Sequence, residues 1–340
     1  MNNKKAAIIG FGGMGQRHYT AYMKAGVDVV AICDWKKEVI HKVLPDFPAE
    51  HAYSTYQDLI DNESVDIISI VTNGPTHTEA TINASEAGIR SILCEKPMAT
   101  NLHDAQRMID ICSKNNTRLA VNHIRRWNSD YEHLKALIKK GIIGDIRHMY
   151  FSCGSTGIGN FVGHFFDTMR YLTDSEPDWA IGFLDKTGTI NPRGPQFIDP
   201  AGYGIIMFKN GARCFIDSSE DTGVQYIFQI VGTYGRIIID ELNNSWLIRA
   251  RDDELKKSPL TRYGLPMEIV QFESHEFDIV DMTSNAILEL LSEKPVSCTG
   301  IDGKKSLEMV ISFHISEEMN NNKVHFPLAG KALEKNVLIA

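Results

Sequence analysis

The stretch AAIIGFGGMGQRH, residues 6–18, decides the fold of this 340-residue chain. Four apolar residues lead into three glycines with the spacing G-x-G-x-x-G, at Gly10, Gly12 and Gly15. In that pattern the first glycine permits a tight turn, the second lets the backbone approach a pyrophosphate, and the third lets the next helix pack on the strand. The free N–H groups and the dipole of that helix favour phosphate binding. We therefore expect a dinucleotide-binding loop whose contacts come from Gly10, Phe11, Gly12, Gly13, Met14 and Gly15.

An acidic residue follows this loop at the expected distance. Asp34, in AICDW, lies nineteen residues after Gly15, close to the ~20 residues typical of dinucleotide-binding folds. At the end of a second strand its carboxylate would accept hydrogen bonds from the adenosine ribose. A carboxylate also repels a 2′-phosphate, which favours NAD. Lys36 and Lys37 follow closely and could hold that phosphate, so NADP remains open.

The first third of the chain alternates short apolar runs with helical patterns. Runs of this kind are typical of parallel strands that are covered on both faces. A repeated strand–helix–strand order predicts a doubly wound parallel sheet of the Rossmann type. We therefore expect an α/β dinucleotide-binding domain over residues 1–122. Its predicted strands are Ala6–Gly10, Val27–Cys33, Val65–Val71, Arg90–Cys94 and Arg118–Asn122.

The pattern changes after Asn122. One helix is predicted over Tyr131–Lys140, and the sequence KNGA at 209–212 predicts a hairpin turn in which Asn-Gly supplies positive φ. Hairpins favour a large, mostly antiparallel sheet, so residues 123–340 are expected to form an α+β substrate-binding and oligomerisation domain. The strand-like runs behind this expectation are Ile146–Cys153, Gly204–Phe208, Ala212–Ser218, Tyr226–Val231 and Arg236–Ile239.

Composition excludes several classes of function. The formal charge is −8, whereas nucleic-acid and anionic-membrane binders need a basic surface. The first apolar run has four residues, and a signal peptide needs about 7–15. The six cysteines are scattered singly, without the paired spacing of a zinc or dithiol site. We therefore expect a cytoplasmic protein that holds no metal and contacts neither nucleic acid nor a membrane.

Two opposite charges end the predicted fourth strand, in ILCEKPMAT at 92–100. Ligands of open α/β sheets bind beyond the carboxyl ends of the strands, which places Glu95 and Lys96 at the mouth of the cofactor crevice. A lysine there could relay a hydroxyl proton while hydride leaves the same carbon. A surface ion pair of little energetic value is the alternative. Position alone does not separate the two interpretations.

Three further stretches make a family resemblance specific. The segments CEKPMATNLHDAQRM, VTNGPTHTEATINASEAG and NHIRRWNSDYEHLKALIKKGIIGDI resemble those of the Gfo/Idh/MocA family of NAD(P)-dependent oxidoreductases, which act mainly on sugars, cyclitols and their derivatives. The resemblance implies that Lys96 is catalytic and that Arg126, rather than Arg125, contacts substrate. It also implies a cofactor site lined by Thr72, Asn73, His77, Glu95 and Lys96.

The second half of the site is expected in GNFVGHFFDTMRYL, residues 159–172. His164 and Asp167 are three residues apart and share a helix face. The family pattern here is D-x-G-x-H-x-x-D, which implies that His164 is the catalytic partner of Lys96 and that Asn160 and Asp167 bind substrate. Asn160 stands where the family has aspartate. An amide cannot take up a proton as a carboxylate does, but it can hydrogen-bond a sugar hydroxyl.

These patterns predict an oxidoreductase that moves a hydride between a nicotinamide and a secondary alcohol or ketone carbon of a sugar, cyclitol or nucleotide-sugar. Two alternatives stay open. One is a non-catalytic NAD-binding sensor of the same fold, which Asn160 mildly favours. The other is an NAD-dependent glycoside hydrolase. The resemblance and the open face of the second sheet together predict a homodimer or homotetramer.

Overall fold

The structure, a computed structural model, describes residues 4–154, 156–185, 191, 193–261 and 264–339. Its N-terminal sheet is parallel and six-stranded, with the order β3-β2-β1-β4-β5-β6. The central strands are short and buried because helices cover both faces of the sheet, as the apolar runs predict. The strands are β1 Lys5–Ile9, β2 Asp28–Cys33, β3 Ala52–Tyr53, β4 Ile67–Ile70, β5 Ser91–Cys94 and β6 Arg118–Val121.

Helices connect these strands, and local signals set their ends. The first helix ends at Gly26, which adopts the left-handed conformation (φ 70°), and the fifth begins after Asn101, whose side chain accepts the Asp104 N–H. The strand order reverses between β1 and β4, which is where doubly wound sheets bind ligands. The predicted Rossmann fold is confirmed. The helices are α1 Gly13–Ala25, α2 Lys37–Val43, α3 Tyr56–Asn62, α4 Gly74–Glu86 and α5 Leu102–Lys114.

The second sheet has nine strands in the described residues. Its strands are β7 Ile146–Ser152, β8 Pro177–Leu184, β9 Gly202–Phe208, β10 Arg213–Asp217, β11 Ile227–Gly232, β12 Gly235–Asp240, β13 Ser245–Ala250, β14 Glu268–Val270 and β15 Val324–His325. They run in the order β14-β13-β12-β11-β7-β10-β9-β8-β15. Neighbours are antiparallel except β7 and β10, so the prediction of a mostly antiparallel sheet is confirmed.

The hairpin turn between β9 and β10 differs in one detail from its prediction. Gly211 alone supplies positive φ, at 85°. Asn210 keeps negative φ, and its side-chain oxygen accepts the Ala212 N–H at 3.1 Å. The loop is closed by the Phe208 N–H, which donates to the Ala212 carbonyl at 2.8 Å.

The C-terminal part of the chain returns to the first sheet. Helix α9 packs against α1 and β5, and α10 packs against α5 and β6. The predicted division at residue 122 stays a prediction, and these contacts show that later segments help to cover the first sheet. The remaining helices are α6 Ser129–Lys139, α7 Gly163–Thr173, α8 Asp253–Lys256, α9 Ile279–Leu290 and α10 Gly300–Glu318. Within the described ranges, no helix has the length and apolar character to cross a membrane.

Candidate active site

A cleft of about 800 Å³ opens at the carboxyl ends of β1, β4 and β5. One wall comes from the first sheet and the other from segments that follow it in the chain. The first wall includes Gly12, Gly13, Met14, Thr72, Asn73, Glu95 and Lys96. The facing wall includes Arg125, Asn160, Phe161, His164, Arg193 and Tyr226.

The glycine loop forms a phosphate-sized cradle in the first wall. Gly10 has φ 94°, and a Cβ there would lie 2.7 Å from the Val71 carbonyl oxygen. A Cβ at Gly15 would lie 2.1 Å from the Gly10 carbonyl oxygen, so only glycine lets α1 start this close to β1. Gly12 and Gly13 face open space instead, and no side chain caps the start of α1. Its first N–H groups lack partners within the helix, and a pyrophosphate fits this cradle.

Asp34 stabilises the glycine loop by accepting backbone hydrogen bonds. Its Oδ2 accepts the Phe11 N–H at 2.8 Å, and its Oδ1 accepts the Lys36 N–H at 2.9 Å. Each carboxylate oxygen can accept a further hydrogen bond. The ribose contact predicted for Asp34 is therefore compatible with its structural contacts. Beside it, the Trp35 side chain is exposed and lies 4.3 Å from Lys36 Nζ.

Lys96 reaches across the cleft from the end of β5. Its Nζ donates to the Asn160 carbonyl at 2.5 Å and to the Asn160 side-chain oxygen at 2.8 Å. Burial, assisted by the positive charge of Arg193, lowers the pKa of Lys96 to about 8, although Glu95 and Asp199 oppose the shift. Both protonation states of the amine are therefore accessible near neutral pH.

Glu95 is held by a buried chain of hydrogen bonds. Its Oε1 accepts from Asn122 at 2.7 Å and from His18 Nε2 at 3.1 Å, while Oε2 accepts the Lys96 N–H at 3.1 Å. Burial alone would raise the pKa of Glu95, but the His18 hydrogen bond and nearby positive charge lower it to about 2. An ionised Glu95 makes His18 Nε2 the donor. In a neutral ring, His18 Nδ1 then accepts from Ser69, 3.0 Å away.

His164 lines the cleft opposite Lys96. The residue is half-buried, and its Nδ1 is buried without a hydrogen-bond partner among the described residues. Burial and the neighbouring positive charge of Lys96 hold the pKa of His164 well below its usual range, so the imidazole is neutral. The His123 ring packs edge-on against it with centroids 5.8 Å apart. A neutral ring of this kind can accept a hydrogen bond from a hydroxyl.

Arg126 and Asp167 lie behind the cleft wall. Two guanidinium nitrogens of Arg126 donate to the two oxygens of Asp167, each at 2.8 Å, and Asp167 is 1% exposed. Burial raises the pKa of Asp167, but Arg126 more than offsets this and lowers it. The two residues pair with each other and do not line the cleft, and their predicted contact with substrate stays a prediction. Arg125 reaches the cleft instead.

His77 is also set back from the cleft. Its two ring nitrogens lie 2.8 Å from the Pro97 carbonyl and 2.9 Å from the Thr72 carbonyl. Burial lowers the pKa of His77, and a neutral ring has one N–H to donate. His77 thus connects the loops that carry Thr72 and Lys96, both of which line the cleft.

Sequence reasoning missed several cleft residues. Arg125 donates to both carboxylate oxygens of Glu241, at 2.7 and 2.6 Å, and its guanidinium lies 4.0 Å from the Phe165 ring. Tyr226 donates to the same carboxylate at 2.7 Å. Phe161, Leu242 and Phe277 add an apolar surface. None carries a local motif. In the described part of the chain, no group of three His, Cys, Asp or Glu residues is placed to hold a metal ion.

Comparison with known proteins shows which family the first domain resembles. Residues 4–123 match the family model described as an oxidoreductase family with an NAD-binding Rossmann fold, Gfo/Idh/MocA. The N-terminal domain of the chain is thus similar to this family over 120 residues. The predicted family, fold class and NAD cofactor are confirmed, as is an oxidoreductase function at the level of the family.

Relatives extend the match beyond the Rossmann domain. The chain is 24% identical to the myo-inositol 2-dehydrogenase of Thermotoga maritima over 89% of this chain and 93% of that enzyme. It is 26% identical to the levoglucosan dehydrogenase of Pseudarthrobacter phenanthrenivorans over 71% and 74%. An oxidoreductase from Agrobacterium radiobacter, solved with NAD+, L-tartaric acid and magnesium, shares the fold with a TM-score of 0.77 at 21% identity, covering 95% and 98%.

Proposed function

We propose that the protein is an NAD-dependent dehydrogenase that interconverts a secondary alcohol and a ketone on a polyhydroxylated ring, a sugar or a cyclitol. The observation that carries the proposal is the position of the Lys96 amine. It lies at the end of a central strand, faces Asn160 and His164, and is poised between its two protonation states. The relatives named as myo-inositol 2-dehydrogenase and levoglucosan dehydrogenase support the substrate class.

The first wall would hold the cofactor. The N–H groups at the start of α1 would bind the pyrophosphate, and Asp34 the adenosine ribose. Thr72, Asn73 and Glu95 would contact the nicotinamide end. When bound, NAD accepts or returns the hydride.

Lys96 would move the proton, and His164 would orient the substrate beside it. In the oxidative direction, a neutral Lys96 amine accepts the hydroxyl proton as the hydride leaves the same carbon. In the reverse direction, the ammonium donates to the carbonyl oxygen. The neutral His164 ring has an unpartnered Nδ1 with which to accept a hydrogen bond from a neighbouring hydroxyl. The Asn160 amide nitrogen can donate to another.

The shape of the facing wall supports a ring polyol. Lys96, from the first wall, and Asn160 and His164, from the facing wall, offer polar contacts to hydroxyl groups. Phe161 and Tyr226, whose ring centroids lie 5.2 Å apart, add an aromatic surface to the facing wall. Binding sites of this type combine an apolar lining with a few placed polar groups. A sugar or cyclitol has the matching C–H faces and hydroxyl edges.

NADH formation, followed at 340 nm, tests the proposal. The purified protein would be assayed with NAD or NADP against free sugars, cyclitols, sugar phosphates and nucleotide-sugars, and in the reductive direction. Removing a general acid–base group typically costs about 10²–10⁴-fold in rate, so Lys96→Ala should lose activity on that scale. Lys140→Ala, an exposed lysine at the end of α6, is the matched control.

Two outcomes would contradict this function. Calorimetric NAD binding without turnover on any substrate, in either direction, would indicate a sensor. Release of an aglycone from a glycoside without net NADH would indicate transient oxidation in a hydrolase. If Lys96→Ala keeps full activity, the proton transfer lies elsewhere in the cleft.

We also propose that the protein forms a homodimer or homotetramer through the outer face of the second sheet. Side chains alternate along its strands, and the outer set is strongly apolar in the middle. Patches of this kind mark interaction surfaces. Light scattering should give two or four times the 38.1 kDa chain mass, and a monomer would contradict the proposal. The partly exposed residues of this face include Tyr150, Ile181, Phe183, Tyr203, Ile205, Met207 and Phe215.

The cysteines support a cytoplasmic location for the protein, which we propose as well. All six are buried and unpaired. Free thiols are typical of reducing compartments, whereas secreted proteins use disulfides. Fractionation of the native host with marker enzymes would test this, and recovery in an oxidising compartment would contradict it.

A further inference from the structure

The Asp199 carboxylate binds two backbone N–H groups of the turn that carries Asn160. Its Oδ1 accepts the Gly159 N–H and its Oδ2 accepts the Asn160 N–H, both at 2.7 Å. No side chain of the turn itself caps Ile158–Val162, the single π-helical turn that leads into α7. The first N–H groups of a helical segment need partners from outside it, and Asp199 supplies them from a loop some forty residues later. Burial raises the pKa of Asp199, while the two backbone donors and the positive charges of Lys96 and Arg193 oppose that shift and favour the ionised carboxylate.

The local sequence leaves room for this carboxylate. A Cβ at Gly157 would lie 2.0 Å from Asp199 Oδ2, and one at Gly159 would lie 3.1 Å from Oδ1. Any side chain at Gly157 would push the carboxylate out of its position. The approach of Asp199 thus explains Gly157, whereas Gly159 leaves room mainly for Ile339, whose Cδ1 would lie 2.1 Å from a Cβ there.

The turn that Asp199 holds is also in contact with Lys96. Asn160 supplies both hydrogen-bond acceptors of Lys96 Nζ that the structure describes, its carbonyl oxygen and its side-chain oxygen. Both of these are uncharged. The formal charges that act on the ammonium come from elsewhere, namely from Glu95, Arg193 and Asp199, while the nearby rings of His123 and His164 are neutral.

We propose that Asp199 is a positioning residue of the active site, whose carboxylate fixes Asn160 against Lys96 and supplies the negative charge that the Asn160 amide lacks. The residue acts through Asn160 and through its field, and it does not itself touch substrate. Its catalytic consequence rests on the proposed dehydrogenase function. Its effect on Lys96 is independent of any substrate.

The direction of the effect follows from charge. A nearby negative charge favours the ammonium form and raises the pKa of Lys96. Removing it, or letting Asn160 move away, should let that pKa fall. The neutral, nucleophilic amine would then form at lower pH.

Trace acetylation of Lys96 with acetic anhydride, followed by mass spectrometry across a pH series, measures this without cofactor or substrate. Two uncharged variants test it. Asp199→Asn removes the charge and keeps one oxygen that can accept a backbone N–H, and Asp199→Ser removes the charge together with the reach of the carboxylate. Each should move the midpoint of Lys96 acetylation to lower pH by roughly half a unit or more. If the asparagine variant does not fold, the serine variant carries the test.

Asp185→Asn is the matched control. Its carboxylate also accepts a loop N–H, that of Glu220 at 2.8 Å, and it is not among the charges that act on Lys96. It should leave the midpoint unchanged. Midpoints of both Asp199 variants equal to wild type, or an equal shift in Asp185→Asn, would overturn the proposal.

Kinetics separates this inference from the proposed function. If the protein is a dehydrogenase, the low-pH limb of kcat/KM for oxidation should shift with the acetylation midpoint, while calorimetric NAD affinity is unchanged. A shifted midpoint in a protein without turnover would support the role of Asp199 and reject the dehydrogenase. A shifted rate profile without a shifted midpoint would reject the role of Asp199.

Discussion

The two walls of the cleft are built in different ways. The first wall comes from segments at the ends of neighbouring parallel strands, held mainly through the backbone: a glycine loop, an N–H donated to Asp34 and a helix start. The second wall is assembled from segments that are distant in sequence, and buried side-chain charges hold it together. The Arg125–Glu241 pair, 116 residues apart, is the clearest case. One wall is therefore sensitive to the size of single residues, and the other to the balance of charge.

Glu241→Gln should produce the largest loss of stability, because it breaks the charge balance of the second wall. Glu241 is 4% exposed and accepts hydrogen bonds from Arg125, Tyr131 and Tyr226. Removing one partner of a buried ion pair typically costs about 3–5 kcal/mol, since the other charge stays buried without compensation. Urea unfolding would measure the free energy of unfolding.

Asp240→Asn is the control for this change. Asp240 is the neighbouring residue, and its carboxylate accepts from the exposed Asn243. It should cost well under half of the loss in Glu241→Gln. Equal losses in the two variants would show that the second wall does not depend on its buried charge.

Gly15→Ala and Gly12→Ala should separate packing from ligand contact in the first wall. The Gly15 methyl group would meet the Gly10 carbonyl oxygen at 2.1 Å, so the backbone must shift. Overpacking of this kind costs about 1–3 kcal/mol. The Gly12 methyl group would meet no protein atom within 4 Å, and it should leave unfolding unchanged while weakening NAD binding. Thermal melts and calorimetry would measure both, and an equally destabilised Gly12→Ala would contradict the distinction.

The same contrast explains what could be predicted from the sequence. The strands of the first sheet, the glycine loop, Asp34 and the Lys96 strand end all carry local patterns of spacing, and the structure places them as expected. The second sheet was predictable as strands and hairpins because its side chains alternate. Its strand order and the packing of α9 on α1 depend on contacts between distant segments, which leave no local trace.

Arg125 and Arg126 show most clearly where prediction from the sequence fails. They are identical neighbours on one short turn, Ile124–Trp127, and the turn sends them to different partners. Arg126 pairs with Asp167 behind the wall, while Arg125 pairs with Glu241 and lines the cleft. Nothing near them in sequence distinguishes the two. Sequence reasoning missed Asp199 for the same reason, because its role depends on contact with a turn some forty residues earlier in the chain.

Acid should weaken the junction between the two walls, where His123 and His164 meet. Burial lowers the pKa of His123 to about 4, with Asp167 opposing the shift. In the unfolded chain a histidine takes up its proton near pH 6.5. Between these two values the unfolded state binds more protons, so stability falls as the pH falls from about 6.5 towards 4. His164 acts in the same direction.

His123→Gln tests this through the change in the free energy of unfolding between pH 7 and pH 5, rather than through the stability at one pH. Each pH unit inside that window is worth about 1.4 kcal/mol for one fully shifted group, so His123 should account for roughly 2 kcal/mol of the stability that wild type loses between pH 7 and pH 5. Between pH 7 and pH 5, the free energy of unfolding of the variant should therefore fall by roughly 2 kcal/mol less than that of wild type, whatever its stability at pH 7. Urea unfolding at both pH values gives the comparison, and His103→Gln, an exposed residue of α5, should behave as wild type does. If His123→Gln loses as much as wild type, the junction is not where acid acts, and the two walls are coupled by packing alone.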